Sequence, residues 1–101
     1  MKNSVHFFQT ARGDEPVVNY IQNLPESERA AIDGILGDLR DLGNLEYPHG
    51  RKISGYKNLY EIRYKRHRIF YFCHNNEVVL IHAFKKQSQE TPKKEIEVGL
   101  H

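Results

Sequence analysis

A chain of 101 residues is long enough for one domain with one hydrophobic core and too short for two. Its 39% apolar, 28% charged and 11% aromatic residues exclude wholesale disorder, although a mean hydropathy of -0.70 makes the core an economical one. The net charge of +2 hides an uneven split: residues 1 to 50 hold four Lys/Arg against eight Asp/Glu, residues 51 to 74 seven against one, and residues 75 to 101 four against four.

Val5-His-Phe-Phe8 is a short apolar run and predicts a first strand. Asp14 is placed to cap a helix whose first turn holds Glu15 and Pro16, with Val17, Val18, Tyr20, Ile21 and Leu24 as its buried stripe. Pro25 interrupts that helix and starts the next, over Ser27 to Leu42, where Ile32, Ile35, Leu36, Leu39 and Leu42 recur at helical spacing. Gly43 suits a left-handed C-cap, while Gly34 and Gly37 inside the helix suggest close approach to a neighbour. The two helices predict a hairpin with one apolar side that must lie on a sheet.

Leu45 to Gly50 is a connecting loop with Pro48 and Gly50 as breakers, and it leads to a short basic strand, Arg51-Lys-Ile-Ser54. Gly55 and Asn58 frame a turn. Three strands follow, Leu59 to Tyr64, His67 to His74 and Glu77 to Phe84, the last apolar on nearly every residue and so expected to be central and covered on both faces. Asn75-Asn76 suits the positive φ angles of a two-residue hairpin turn. Thr91 then caps a last helix with Pro92 at its first position. The expected fold is α+β: a single domain over residues 1 to 101, mainly an antiparallel sheet, with a helical hairpin on one face and a short C-terminal helix.

With turns at Lys65-Arg66 and Asn75-Asn76, Arg63 lies opposite Arg68 and Arg68 opposite Ala83. Lys85 then joins the same face two residues further on. Three cations converge at one end of one face, and the other face, carrying Tyr60, Ile62, Ile69, Tyr71, Leu80 and His82, receives the helices. Like charges across a hairpin destabilise it. A phosphate partner explains the convergence better than solvation does, since Arg offers a planar fork to phosphate oxygens and Lys a mobile charge. Tyr64, Phe70 and Phe72 are near enough to stack on bases.

Other constellations are weaker. No two histidines show the spacing of metal ligands, no glycine-rich phosphate loop is present, and the single Cys73 permits no internal disulfide and reads as a small buried side chain. His82 reads as a hydrogen-bonded core histidine. His67, at the mouth of the hairpin beside Arg68, is either an exposed turn residue or a proton carrier. The Ser27 to Leu42 helix is net acidic, which argues against a DNA-reading helix. The start of the chain has no apolar h-region and no apolar run reaches membrane-spanning length, so a cytoplasmic protein without membrane association is expected.

Leu59-Tyr-Glu-Ile-Arg63, Arg68-Ile-Phe-Tyr71 and Leu80-Ile-His-Ala-Phe-Lys-Lys-Gln-Ser-Gln-Glu-Thr-Pro92 together resemble the core pattern of the RelE/HigB toxin superfamily, especially its phage-derived branch. The resemblance implies a microbial-ribonuclease-like fold and the toxin half of a type II toxin-antitoxin pair. Such toxins enter the ribosomal A site and cut mRNA without a metal or other cofactor, driving the ribose 2′-hydroxyl onto the adjacent phosphate. The family's sheet-borne arginine maps onto Arg68 and its basic residues after the last strand onto Lys85 and Lys86, with Arg63 in the same segment as the first motif. Arg63, Arg68, Lys85 and Lys86 would stabilise the phosphorane, and His67, Tyr64 or a lysine of depressed pKa would carry protons. Arg51, Lys52, Lys57, Tyr64 and Arg66 would hold the RNA. The implied partners are mRNA on the ribosome and a cognate antitoxin, of helix-turn-helix type, in a hetero-oligomer. Where some members place a C-terminal tyrosine or histidine near the cut site, this chain has no tyrosine after Tyr71, and its later histidines are His74, His82 and His101. The competing reading is a non-catalytic RNA- or protein-binding module on the same fold.

Overall fold

The computed structural model describes residues 2–43, 45, 49–87 and 93–100. Eight elements follow one another: β1 (Ser4–Phe7), α1 (Pro16–Gln22), α2 (Glu26–Leu42), β2 (Gly50–Lys52), β3 (Leu59–Tyr64), β4 (His67–His74), β5 (Glu77–Lys85) and α3 (Lys93–Leu100). The strands form one sheet in the order β1-β5-β4-β3-β2. β2 to β5 pair antiparallel, while β1 runs parallel to β5, so the sheet is mixed and the fold is α+β.

Local chemistry accounts for the turns. Asn75 and Asn76 take φ of 51° and 65°, and Gly55 and Asn58 take 89° and 60°, the left-handed region that asparagine and glycine tolerate best. Gly43, at φ 92°, closes α2 as expected. At the start of α1 the expectation is corrected: Glu15 holds the N-cap position without a side-chain cap. Asp14 instead closes a small loop, its N–H donating to the Thr10 hydroxyl and its carbonyl accepting from the Thr10 N–H.

The core lies mainly between the helices and one face of the sheet. Val17 and Ile21 of α1 and Ile32, Ile35, Leu36 and Leu39 of α2 pack with Ile62, Ile69, Tyr71, Val78 and Leu80. Leu42 falls outside that stripe at 68% exposed. A Cβ at Gly34 would meet nothing within 4 Å among the described residues, so the close approach expected there is not seen. The buried amide of Asn3 donates to the carbonyls of Leu39 and Gly43, both at 2.8 Å, tying the entry to β1 onto the last turn of α2.

Gly50 opens β2 where the Leu45 carbonyl oxygen would lie 2.8 Å from any added Cβ. The obstacle is backbone and cannot swing away. Gly50→Ala is expected to destabilise the fold by about 1–3 kcal/mol, the usual cost of overpacking, read as a lowered urea midpoint with an unchanged m-value.

A smaller second cluster covers the other face. Leu59, Phe70, Phe84 and Ile96 are buried there, the last from α3, and Gly99 lets α3 lie close to His82 and Phe70. Thr91 and Pro92, the expected start of that helix, fall outside the described residues, as does Pro48.

Candidate active site

Alternation along β3 puts Leu59, Glu61 and Arg63 on the α3 face of the sheet and Tyr60, Ile62 and Tyr64 on the face of α1 and α2. The β3–β4 register matches the sequence expectation, with Arg63 opposite Arg68. The β4–β5 register does not. It begins with His74 opposite Glu77 and continues to Tyr71 opposite Leu80, then slips, so that Phe70 faces His82 and Arg68 faces Phe84, with Ile81 as the extra residue of a bulge.

That bulge corrects several placements at once. Beyond it Lys85 lies opposite His67, towards the helices, while Phe84 and Lys86 follow the face of Arg68. The lysine that joins the two arginines is therefore Lys86. His82, expected under the helical hairpin, instead faces α3 and its Nε2 lies 2.9 Å from Glu95 Oε1.

Four side chains make the basin. Glu61 is 1% exposed and its Oε1 lies 3.0 Å from Arg63 Nε, whose N–H is not aimed at it, so the approach is a charge contact rather than an aligned hydrogen bond. Arg68 directs Nη1 to the carbonyls of Lys65 and His67, at 2.8 and 2.9 Å. The Nε atoms of both arginines are buried without a hydrogen bond. Lys86 is 2% exposed, and its N–H donates to the Arg66 carbonyl at 2.7 Å.

Burial and then the charge of Arg63 lower the Arg68 pKa, with Glu61 opposing. Burial likewise lowers that of Lys86, followed by the fields of Arg68 and Arg63, again against Glu61. A cluster that disfavours its own charges and leaves buried donors unused is one that gains by taking up an anion. The arrangement can hold a phosphate, stabilise added negative charge on it, and present an amine whose proton is more easily lost than a free lysine's.

The other expected site residues distribute differently. Arg51, opposite Glu61 in β2, is exposed and close enough for its charge to act on Lys86. Arg66 is exposed beside the basin, its Nη1 3.5 Å from the Lys86 carbonyl. Lys52 pairs with Tyr60 and so points to the helix face, and Lys57 is exposed in the turn before β3. Tyr64 packs against the helix-side core under the Lys65 ammonium, 5.6 Å from its ring centre, and Phe70 is fully buried. Phe70 is therefore not on offer for stacking on a base, and the half-buried Tyr64 lies on the face away from the basin.

His67 is not an exposed turn residue. It is 5% exposed on the helix face, with Nδ1 2.7 Å from the Tyr20 hydroxyl and Nε2 2.6 Å from Glu28 Oε1. It is thus separated from the basin by the sheet. Glu61, the one carboxylate that the sequence places near these cations, was given no role in the expected site, although its spacing of two from Arg63 already placed it on the same face.

Among the described residues no three His, Cys, Asp or Glu are grouped to hold a metal ion, and no helix is long and apolar enough to cross a membrane. No curated protein matches the chain. Solved structures share its fold, among them two toxin structures. A mutant of the E. coli toxin RelE in the free state aligns over 97% of this chain and 98% of its own at a TM-score of 0.66 and 17% identity. The RelB-RelE antitoxin-toxin complex from Methanococcus jannaschii aligns over 80% of this chain and 88% of its own at a TM-score of 0.58 and 21% identity. The family model described as Phage derived protein Gp49-like (DUF891) matches residues 19–100. With most of its length matched, the chain belongs to this Gp49-like family.

Proposed function

We propose that the chain is a ribosome-dependent mRNA endoribonuclease, the toxin of a toxin-antitoxin pair, acting in the cytoplasm. The observation that carries this reading is the convergence of Arg63, Arg68 and Lys86 around the buried Glu61, with the Arg68 Nε donor buried without a hydrogen bond. The ribose 2′-oxygen would attack the adjacent phosphorus, form the 2′-O–P bond and expel the 5′-oxygen, leaving a 2′,3′-cyclic phosphate and a 5′-hydroxyl. Arg63 and Arg68 neutralise the extra charge of the phosphorane. Lys86, whose lowered pKa favours its neutral amine, takes the 2′-hydroxyl proton as the 2′-O–P bond forms, and the ammonium so formed or solvent water gives a proton to the departing 5′-oxygen. The charge is supplied by side chains, without a metal. Arg51 and Arg66 hold the flanking backbone.

An antitoxin is part of the proposal, since a structure that shares this fold is an antitoxin-toxin complex. A small helix-turn-helix protein is the expected type. Induction of wild type and Arg68→Ala side by side, with transcript ends mapped on translating ribosomes, tests the reading. Cuts within translated codons from the wild type alone support it. Intact transcripts with RNA still retained by the wild type would favour a non-catalytic binding module.

Lys86 adds a prediction with opposite signs for activity and stability. Its folded-state pKa lies below the ordinary lysine value, so its charge costs stability at neutral pH, and that cost fades as pH rises through the folded pKa. Lys86→Met is therefore expected to abolish cleavage while raising the melting temperature at pH 7, with the gain shrinking towards pH 10. A lower melting temperature at pH 7 would refute the sign.

A further inference from the structure

The Tyr20, Glu28 and His67 cluster lies outside the basin, and the cleavage chemistry makes no use of it. Three elements meet there: Tyr20 of α1, Glu28 of α2 and His67, the first residue of β4. Both ring nitrogens are occupied. Nε2–H donates to Glu28, and Nδ1 exchanges a hydrogen bond with the Tyr20 hydroxyl, the two rings meeting edge to face at 5.7 Å. A core imidazole needs one partner at each nitrogen, but here the partners come from two separate helices. The ring is fixed in rotation as well as in place.

What this fixes is the backbone on the other side of the ring. The His67 carbonyl accepts from Arg68 Nη1, and the second acceptor of that nitrogen, the Lys65 carbonyl, belongs to the same tight turn. Lys65 holds φ at 53°, which a side-chain-bearing residue keeps only where its surroundings hold the turn. The Arg68 guanidinium is thus aimed by two carbonyls of the turn that the His67 ring nails to the helices.

We propose that His67, bridged to Tyr20 and Glu28, is a positioning residue that sets the Arg68 guanidinium for phosphate on the opposite face of the sheet. The effect on cleavage rests on the endoribonuclease reading above; the effect on Arg68 does not. Misplacing a charge-stabilising group by about 1 Å costs on the order of 10²-fold in rate. His67 never touches RNA in this scheme. Its removal should slow cleavage without weakening attachment.

The test uses the full chain with programmed ribosomes under single-turnover conditions, normalising rates to the folded fraction. His67→Phe is expected to lower the saturated cleavage rate about 10²-fold and to leave the half-saturating ribosome concentration within about twofold. In the Arg68→Ala background the same substitution should have little further effect, because residues acting through one group are not additive. Tyr20→Phe, which removes one of the two bonds and keeps the packing, serves if His67→Phe fails to fold, and should give a smaller loss of the same kind. An unchanged rate per folded molecule, or an equal loss in both backgrounds, would overturn the proposal. If the wild type does not cleave, the endoribonuclease reading fails, and the ¹H–¹⁵N signal of Arg68 Nε then decides. A shift of that signal on Tyr20→Phe with Arg63 unmoved supports the positioning role, and an unmoved Arg68 signal overturns it.

Discussion

Arg68→Ala is expected to lower the rate of mRNA cleavage by about 10²–10³-fold, the loss seen when one preorganised charge-stabilising donor is removed from an active site. Arg68 sits mid-basin, opposite Arg63 in the sheet register, with its guanidinium held by two backbone carbonyls and its Nε buried without a hydrogen bond. Such a group is oriented before substrate arrives, so its contribution falls on the transition state more than on binding. Its own stability cost is consistent with that role, since burial and Arg63 both disfavour its charge. The variant should therefore fold at least as well as the wild type. Cells induced to make it should continue to grow, and mapped transcripts should lose the toxin-dependent ends. Equal growth arrest and equal cleavage from both proteins would remove Arg68 from the mechanism.

Glu61→Gln is expected to destabilise the fold by about 3 kcal/mol, at the lower end of what breaking a buried ion pair costs, because Arg63 keeps a fifth of its side chain in solvent. The amide matches the carboxylate in shape, so packing is preserved and only charge is lost. Glu61 is the carboxylate that opposes the mutual repulsion of Arg68 and Lys86 as well as facing Arg63. Without it three cations share one basin. Urea unfolding at low ionic strength measures the loss, and added sulfate or phosphate should recover part of it by occupying the basin. The double variant Glu61→Gln with Arg63→Met should be more stable than Glu61→Gln alone. An unchanged urea midpoint for Glu61→Gln would show that Arg63 is solvated well enough to need no counter-charge.

Much of this was legible in the sequence, and the boundary between what was and what was not has a physical location. Both hairpins fell where asparagine, lysine and the flanking apolar runs put them, and the Arg63 to Arg68 pairing followed from the length of a two-residue turn. The face assignments failed only past Ile81. Val78 to Phe84 is apolar on almost every residue, so no alternation marks the point where the pleat gains a residue. His82 and Lys85 lie beyond that point, and both changed face, leaving Lys86 as the lysine of the basin. His67 went astray for another reason. Its sequence neighbours are Arg66 and Arg68, which suggest a wet turn, whereas its partners Tyr20 and Glu28 lie 47 and 39 residues away. The parallel pairing of β1 with β5 was equally invisible, because four residues of strand carry no mark of the partner they will choose.

The bulge at Ile81 has a further consequence. One residue more or less in β5 decides which of two neighbouring side chains enters the basin, so aligned positions in two such chains need not be equivalent in space. Here both neighbours are lysines. A chain that lost the bulge would rotate Lys86 out and Lys85 in, and the basin would still receive an ammonium group. The doubled lysine makes the charge of the site indifferent to the indexing of its last strand.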